Sequence, residues 1–205
     1  MIRIKIAILN EGIIARTIDA VEKITREISR NIHPVKPYYE ILNNKIEKNP
    51  ILESWDPRRE QCHMIKMLEH MNFGDVRMIV VTSKDLFADG LNWCFGGYVD
   101  DAMAIVLSTN RLTSQLHMED LVAHEIGHMF FCVDYGRVNS YEELGPHCSN
   151  DLCVMQQKMT VAESVEYTKH RHKLNAPFYC PDCTDHMKKY FDKICTKTEA
   201  IETKQ

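Results

Sequence analysis

A chain of 205 residues is long enough to bury a core of its own, and 44% apolar with 26% charged residues is the balance of an ordinary water-soluble globular protein. A net charge of −4 gives no electrostatic reason to expect nucleic acid as a partner, and no apolar run approaches the length of a membrane span. The opening MIRIKIAILN lacks the continuous apolar stretch of a secretion signal, so a reducing, cytoplasmic setting is expected, with no membrane partner and a monomeric state.

In chain order, Ile2, Ile4, Ile6 and Ile8 alternate with Arg3, Lys5 and Ala7, which predicts a strand with one buried face. Residues 12–31 show helical spacing at Ile14, Ile18, Val21, Ile24 and Ile28, and His33-Pro34 stops that helix. Val35 to Ile41 reads as a second strand and residues 43–56 as irregular. Asp56-Pro57 has the form of a helix start, which predicts a helix to about Met71 with Cys62, Ile65, Leu68 and Met71 on one side. Asn72 to Asp75 reads as a turn. Val76 to Thr82 is a nearly continuous apolar run, as for a central strand buried on both faces. Residues 83–97 read as a glycine-containing connection and Met103 to Ser108 as the next strand.

Thr113 or Ser114 caps the next helix, which carries His124-Glu125-Ile126-Gly127-His128 among apolar neighbours. Helical residues four apart share a face, so both imidazoles can reach one metal ion while Glu125 leans toward the same cavity. Two nitrogens to hold a cation and a carboxylate to take a proton from water are what a zinc hydrolase needs. Nineteen residues after His128 come His147 and Cys148, then Cys153, Met155, Cys180 and Cys183. Neighbours on extended backbone point opposite ways, so His147 can serve one metal and Cys148 another. Four thiols at C-x4-C and C-x2-C suit a closed tetrahedral zinc site. Cys62, Cys94, Cys132 and Cys195 sit among apolar residues and read as buried free thiols, with Cys132 the one nearest the expected site. Residues 157–173 are helix-compatible and end in the basic run KHRHK, which reads as a solvated last turn. A final helix buries Met187, Tyr190, Phe191 and Ile194, and the polar tail from Thr196 to 205 is expected to be flexible.

This pattern resembles the archaemetzincins, a branch of the metzincin zinc peptidases, whose signature is H-E-x-x-H-x-x-G-x-x-H-C-x4-C-x-M followed later by C-x-x-C. The likeness extends upstream through 56–69 and 85–112. It implies an α+β fold in which a mixed twisted sheet packs against helices, with an active-site helix, a Met-turn and a C-terminal four-cysteine zinc subdomain. Residues 1–195 would form one catalytic domain, of which 146–195 is the zinc-stapled part. By resemblance, His124, His128 and His147 would hold a catalytic zinc with Glu125 as general base and acid. Cys148, Cys153, Cys180 and Cys183 would hold a structural zinc, making two ions per chain, and Met155 would be the methionine of the turn. The substrate would be a peptide or protein, and part of residues 92–109 would run along the cleft and pair with its backbone. An ordinary sheet strand is the competing reading there.

The sequence departs from the signature in one place. Where the pattern expects glycine and the third histidine stand Phe131 and Asp134, and the H-C pair arrives thirteen residues late. An insertion over Val133 to Gly145, with the composition of a surface loop, accounts for the delay. Either the insertion loops out and His147 returns to the metal, or Asp134 ligates at the usual spacing. His147 keeps its register with Cys148, Cys153 and Met155 and is the preferred reading. Without the glycine, the helix is expected to run past Phe131 and turn near Gly136. The functional alternative to a peptidase is a catalytically degenerate zinc-binding module. A C-x-x-C redox protein explains two of the metal-spaced cysteines and leaves the other two without a role.

Overall fold

The computed structural model describes residues 2–8, 14–41, 50–69, 71 and 77–202. The chain opens with β1 (Ile2–Ile8), crosses through α1 (Ile14–Asn31) and returns as β2 (Val35–Ile41), parallel to β1. Then come α2 (Pro50–Ser54), β3 (Trp55–Asp56), β4 (Gln61–His63), α3 (Met64–Glu69) and β5 (Arg77–Thr82). Three short strands, β6 (Leu86–Ala88), β7 (Leu91–Cys94) and β8 (Gly96–Val99), precede β9 (Ala104–Ser108). The central helix α4 (Gln115–Met129) leads through β10 (Ser140–Tyr141) and β11 (His147–Cys148) to α5 (Val161–Lys173) and α6 (Pro181–Glu202).

The main sheet has the order β2-β1-β5-β9-β8, parallel except for β8, which runs antiparallel along β9 at the edge. Both of its faces are covered, so the middle strands are apolar on both sides, as the run from 76 to 82 predicts. Ile79, Val81, Ile105 and Leu107 face the core shared with α1 and α4, whereas Met78, Val80, Ala104 and Val106 face Cys62, Met64, Met67 and Leu68. Gly96 admits no side chain, because a Cβ there would run into the Val106 carbonyl of the neighbouring strand. Among the described residues no helix is long and apolar enough to cross a membrane.

Several sequence expectations need correction, among them the irregular reading of 43–56, whose described part forms α2 and β3. The helix predicted from Pro57 begins at Met64. Asp56 does cap, but it caps a turn, accepting from the backbone N–H groups of Arg58 (2.8 Å) and Arg59 (3.3 Å). Glu60 then takes a left-handed φ of 54°, and Gln61–His63 is drawn into a second sheet, between β3 and β6. Pairing with residues distant in sequence overrides a local cap signal here. By the same pairing, the connection expected over 83–97 is largely strand. The Asn72 to Asp75 turn, Val76 and residues 42–49 lie outside the described residues.

Helix α4 starts where the sequence places it, at Ser114, whose side chain accepts from the His117 N–H at 3.1 Å. Its end differs from expectation. The helix stops at Met129, and Phe131 itself adopts φ 51°. The Phe131 N–H donates to His128 O (3.1 Å) and the Cys132 N–H to Gly127 O (2.9 Å), the paired bonds of a Schellman turn. A non-glycine residue there costs roughly 1–2 kcal/mol. The Phe131 ring packs against Tyr190 at 4.9 Å and Tyr98 at 6.1 Å, which offsets that cost without a glycine.

Two contacts seat α4 on the segment after it. Gly127 leaves room for Met155, since a Cβ at 127 would overlap the Met155 sulfur and stand 3.1 Å from the Tyr179 ring. Arg171, read from the sequence as a solvated cation, is fully buried. Its guanidinium donates to Asp120 Oδ1 (2.6 Å), Leu152 O (2.8 Å) and Pro177 O (2.6 Å), joining α4, α5 and the chain on either side of α5.

Removing one partner of a buried ion pair leaves the other charge desolvated, so Arg171→Met should lose roughly 3–5 kcal/mol in urea unfolding, partly recovered by adding Asp120→Asn. A loss within about 0.5 kcal/mol would mean that the pair contributes nothing. Gly127→Ala gains about 1 kcal/mol of helix propensity yet should be net destabilising by roughly 1–3 kcal/mol, because buried Met155 must move. An unchanged or higher Tm would overturn that account.

Candidate metal centres and catalytic cleft

Helix α4 runs beneath a cleft of about 980 Å3. One wall is β7 and β8, with Trp93, Cys94, Gly97 and Tyr98; the other includes Gly145 to His147 and Gln156 to Met159. His124 and His128 project from adjacent turns of α4, and His147 reaches them from β11. One ring nitrogen from each lies within 4.8 Å of the others. The two Nε2 atoms of His124 and His128 are 3.1 Å apart. Zinc–nitrogen bonds of 2.0–2.1 Å in a tetrahedron separate nitrogens by roughly 3.3 Å, so the spacing fits a shared ion.

The outer hydrogen bonds fix which nitrogen is free. His124 Nδ1 lies 2.8 Å from Val154 O and His147 Nδ1 2.8 Å from Gly145 O. A carbonyl can only accept, so each Nδ1 carries the proton and each Nε2 keeps its lone pair for a cation. Charge state agrees. Burial, then the neighbouring His147, pushes His124 down to about 3, and burial also lowers His128 and His147. Three neutral imidazoles in a low-dielectric place are donors in search of a positive charge. Beside them Glu125 is almost wholly buried, and its Oε2 has no hydrogen-bond partner among the described residues. Burial pushes its carboxyl up to about 8. A cation at the histidines would favour the carboxylate and oppose that shift.

Asp134, the other reading for the third position, lines the same cleft but faces another partner. It is 58% exposed at its side chain and its Oδ2 lies 3.5 Å from His186 Nδ1. The three-donor group contains His147, not Asp134. The chain between them is more ordered than a looped-out insertion. Its β10 pairs antiparallel with β11, Ser140 opposite Cys148 and Tyr141 opposite His147. Tyr135, Val138 and Leu144 remain exposed, as the composition leads one to expect.

On the far side of β11, Cys148, Cys153, Cys180 and Cys183 bring their sulfurs within 4.8 Å of one another, all buried. Cys148 and Cys180 are 3.7 Å apart and Cys153 and Cys183 3.5 Å. These are not disulfide distances of about 2.05 Å. Four sulfurs at 2.3 Å from one ion would sit roughly 3.8 Å apart, so this group fits a tetrahedral zinc. Hydrogen bonds from the three other thiols pull Cys148 well below its usual value.

Met155 is fully buried against the backbone of α4 at Gly127. Its carbonyl accepts from Cys148 N–H (2.9 Å), the Val154 N–H donates to Phe178 O (2.9 Å), and Tyr179 Oη donates to Ala123 O (2.7 Å). The sequence reading missed Gly127 and Tyr179, which shape this bed. A glycine inside an otherwise apolar helix was the available signal for the first, and nothing local marked the second. Of the remaining cysteines, Cys94 lines the cleft, whereas Cys132 lies toward the four-cysteine group, where burial and the nearby Cys180 raise its thiol far above the ordinary value. Cys94 and Cys195 are only partly buried.

No family model matches the chain. Over 122 residues it is 27% identical to an archaemetzincin of Thermococcus kodakarensis, a match covering 54% of this chain and 54% of that relative. The matched segment therefore spans about half the length of the curated relative. The archaemetzincin of Methanopyrus kandleri superposes with a TM-score of 0.67 at 21% identity, over 93% of this chain and 96% of that one. The archaemetzincin of Archaeoglobus fulgidus, solved with malonate, gives 0.62 at 22% identity over 90% and 99%. A zinc-dependent peptidase of Methanocorpusculum labreanum gives 0.61 at 16% over 90% and 99%. At these identities the solved structures speak for the fold. Taken with the sequence match, they show that the chain has the archaemetzincin fold and is similar in sequence to an archaemetzincin over about half of its length, with His147 standing farther from the H-E-x-x-H helix than the third histidine of the signature.

Proposed function

We propose that the chain is a zinc-dependent peptidase. The observation that carries this reading is the meeting of three neutral imidazoles in one cleft with the buried carboxyl group of Glu125, whose Oε2 has no hydrogen-bond partner among the described residues. His124, His128 and His147 would hold the catalytic ion. Zinc bound there supplies Lewis acidity toward a water molecule and the scissile carbonyl. Glu125 takes a proton from the attacking water as its oxygen bonds to the carbonyl carbon, and then delivers that proton to the nitrogen as the C–N bond breaks. β8 is the edge strand of its sheet among the described residues and lines the cleft, so an extended peptide would pair with its backbone as an added strand.

Cys148, Cys153, Cys180 and Cys183 would hold a second, structural zinc, with 146–195 forming the zinc-stapled part of one catalytic unit. Met155 touches no substrate in this reading and serves as the apolar floor beneath the imidazoles. Unpaired sulfurs at 3.5–3.7 Å suit a reducing compartment such as the cytoplasm.

Purified protein should contain two zinc ions per chain, and His147→Ala should contain one. Two ions in both proteins would take His147 off the metal. Glu125→Gln should keep both ions while its rate on an unstructured peptide falls roughly 10²–10⁴-fold. A wild type that holds two zincs yet cleaves no peptide in a broad library would make the chain a catalytically degenerate zinc-binding module.

A further inference from the structure

The lengthened connection carries a side chain that neither cluster of donors requires. Arg137 stands five residues past the end of the α4 turn, and its guanidinium is folded inward. Nη1 donates to Cys132 O at 3.1 Å and to the Cys183 sulfur at 3.4 Å, and Nη2 donates to Asn139 O at 3.3 Å. Its Nε is buried with no partner among the described residues, an arrangement that is unfavourable by itself.

The four sulfurs explain the inward turn. Four thiolates around a divalent cation leave two negative charges in a place the core has closed to water. Backbone N–H groups answer part of that: Asn150 donates to Cys148 (3.4 Å) and Cys180 to Cys153 (3.5 Å). At Cys183 the donor is a guanidinium, which brings a full positive charge as well as a hydrogen bond.

The same residue anchors the approach to β10. The Arg137 carbonyl accepts from the Ser140 N–H (3.2 Å) and Oγ (2.6 Å). Between them Asn139 donates through Nδ2 to Asp182, in the first turn of the helix that bears Cys183, and accepts from the Ser149 N–H at 3.1 Å. Ser140 then pairs with Cys148 and Tyr141 with His147. A two-residue pairing is too short to be stable unaided. Its position is set by the turn that Arg137 ties to Cys183.

We propose that Arg137 is a positioning residue that fastens the lengthened connection to the four-cysteine cluster and, through β10, holds His147 in the three-histidine cluster. This rests on the reading that the four cysteines hold a metal. The connection would then couple the two centres: loosening the guanidinium at Cys183 also frees His147, although the side-chain hydrogen bonds of Arg137 go to Cys132, Cys183 and Asn139.

The test uses the full chain loaded with cobalt(II), whose thiolate absorption reports the cysteine cluster separately from the histidine cluster. Arg137→Gln should release cobalt from the cysteine cluster to a chelator roughly 10–100-fold faster than the wild type. It should also weaken cobalt at the three histidines, although none of their ligands is altered. Arg137→Lys, which keeps the charge but not the fork, should fall between. Wild-type spectra and release rates at both clusters in Arg137→Gln would overturn the proposal, and a loss confined to the cysteine cluster would overturn the coupling. A wild type without thiolate absorption would defeat the metal reading itself, and the proposal with it. Should Arg137→Gln not fold, amide exchange on the wild type decides. Protection over 137–149 that rises on cobalt loading supports the role, and unchanged protection overturns it.

Discussion

Consecutive side chains on an extended strand must point to opposite sides, and His147 and Cys148 are consecutive. One two-residue strand therefore supplies a donor to each of two clusters, and neither cluster can move without the other. The rest of the structure serves that constraint. β10 fixes the register of β11 from one side. The Met155 carbonyl fixes it from the other by accepting the Cys148 N–H. Val154, next to Met155, gives its carbonyl to His124 Nδ1, so the segment that aligns Cys148 also selects the His124 tautomer.

Helix α4 answers the same constraint from below. It must present His124 and His128 on one face while Met155 comes up against its backbone, and the only residue of the motif that allows this approach is Gly127. The cost of a glycine in mid-helix is about 1 kcal/mol, which buried packing on α1 and the main sheet readily offsets. Arg171 closes the far end. With Asp120 one turn before His124, it ties the start of the histidine-bearing face to Leu152 and Pro177, on either side of α5. A charge buried that deeply contributes little net stability against an apolar pair, but its directional bonds leave α5 few other positions.

Much of this was legible in the sequence, and for identifiable reasons. The β1-α1-β2 unit, the doubly buried β5 and the cap at Ser114 are local patterns that obey their own periods. The H-E-x-x-H spacing and the cysteine spacings are chemistry written as distance along the chain. What was not legible depends on partners remote in sequence. Asp56-Pro57 has every local mark of a helix start, yet Gln61–His63 pairs with a strand more than twenty residues later. KHRHK has the composition of a solvated helix end, yet its Arg171 finds Asp120 fifty-one residues back. A cation's surroundings cannot be read from its immediate neighbours.

Phe131 shows how His147 can reach His124 and His128 although it stands thirteen places later than the signature has its third histidine. In the usual pattern a glycine turns the chain at the helix end and the histidine follows three residues later. Here the turn is still made at the same position, by a phenylalanine in a left-handed conformation held by Tyr190 and Tyr98. The direction in which the chain leaves α4 is thus preserved, and the extra residues are added after the turn instead of within it. Because a long loop costs only logarithmically more entropy than a short one, added length is tolerated if the returning strand is held in place. β10 and the bonds around Asn139 supply that hold. The geometry required of the site is a direction at Phe131 and a register at His147, and the number of residues between them is free to change.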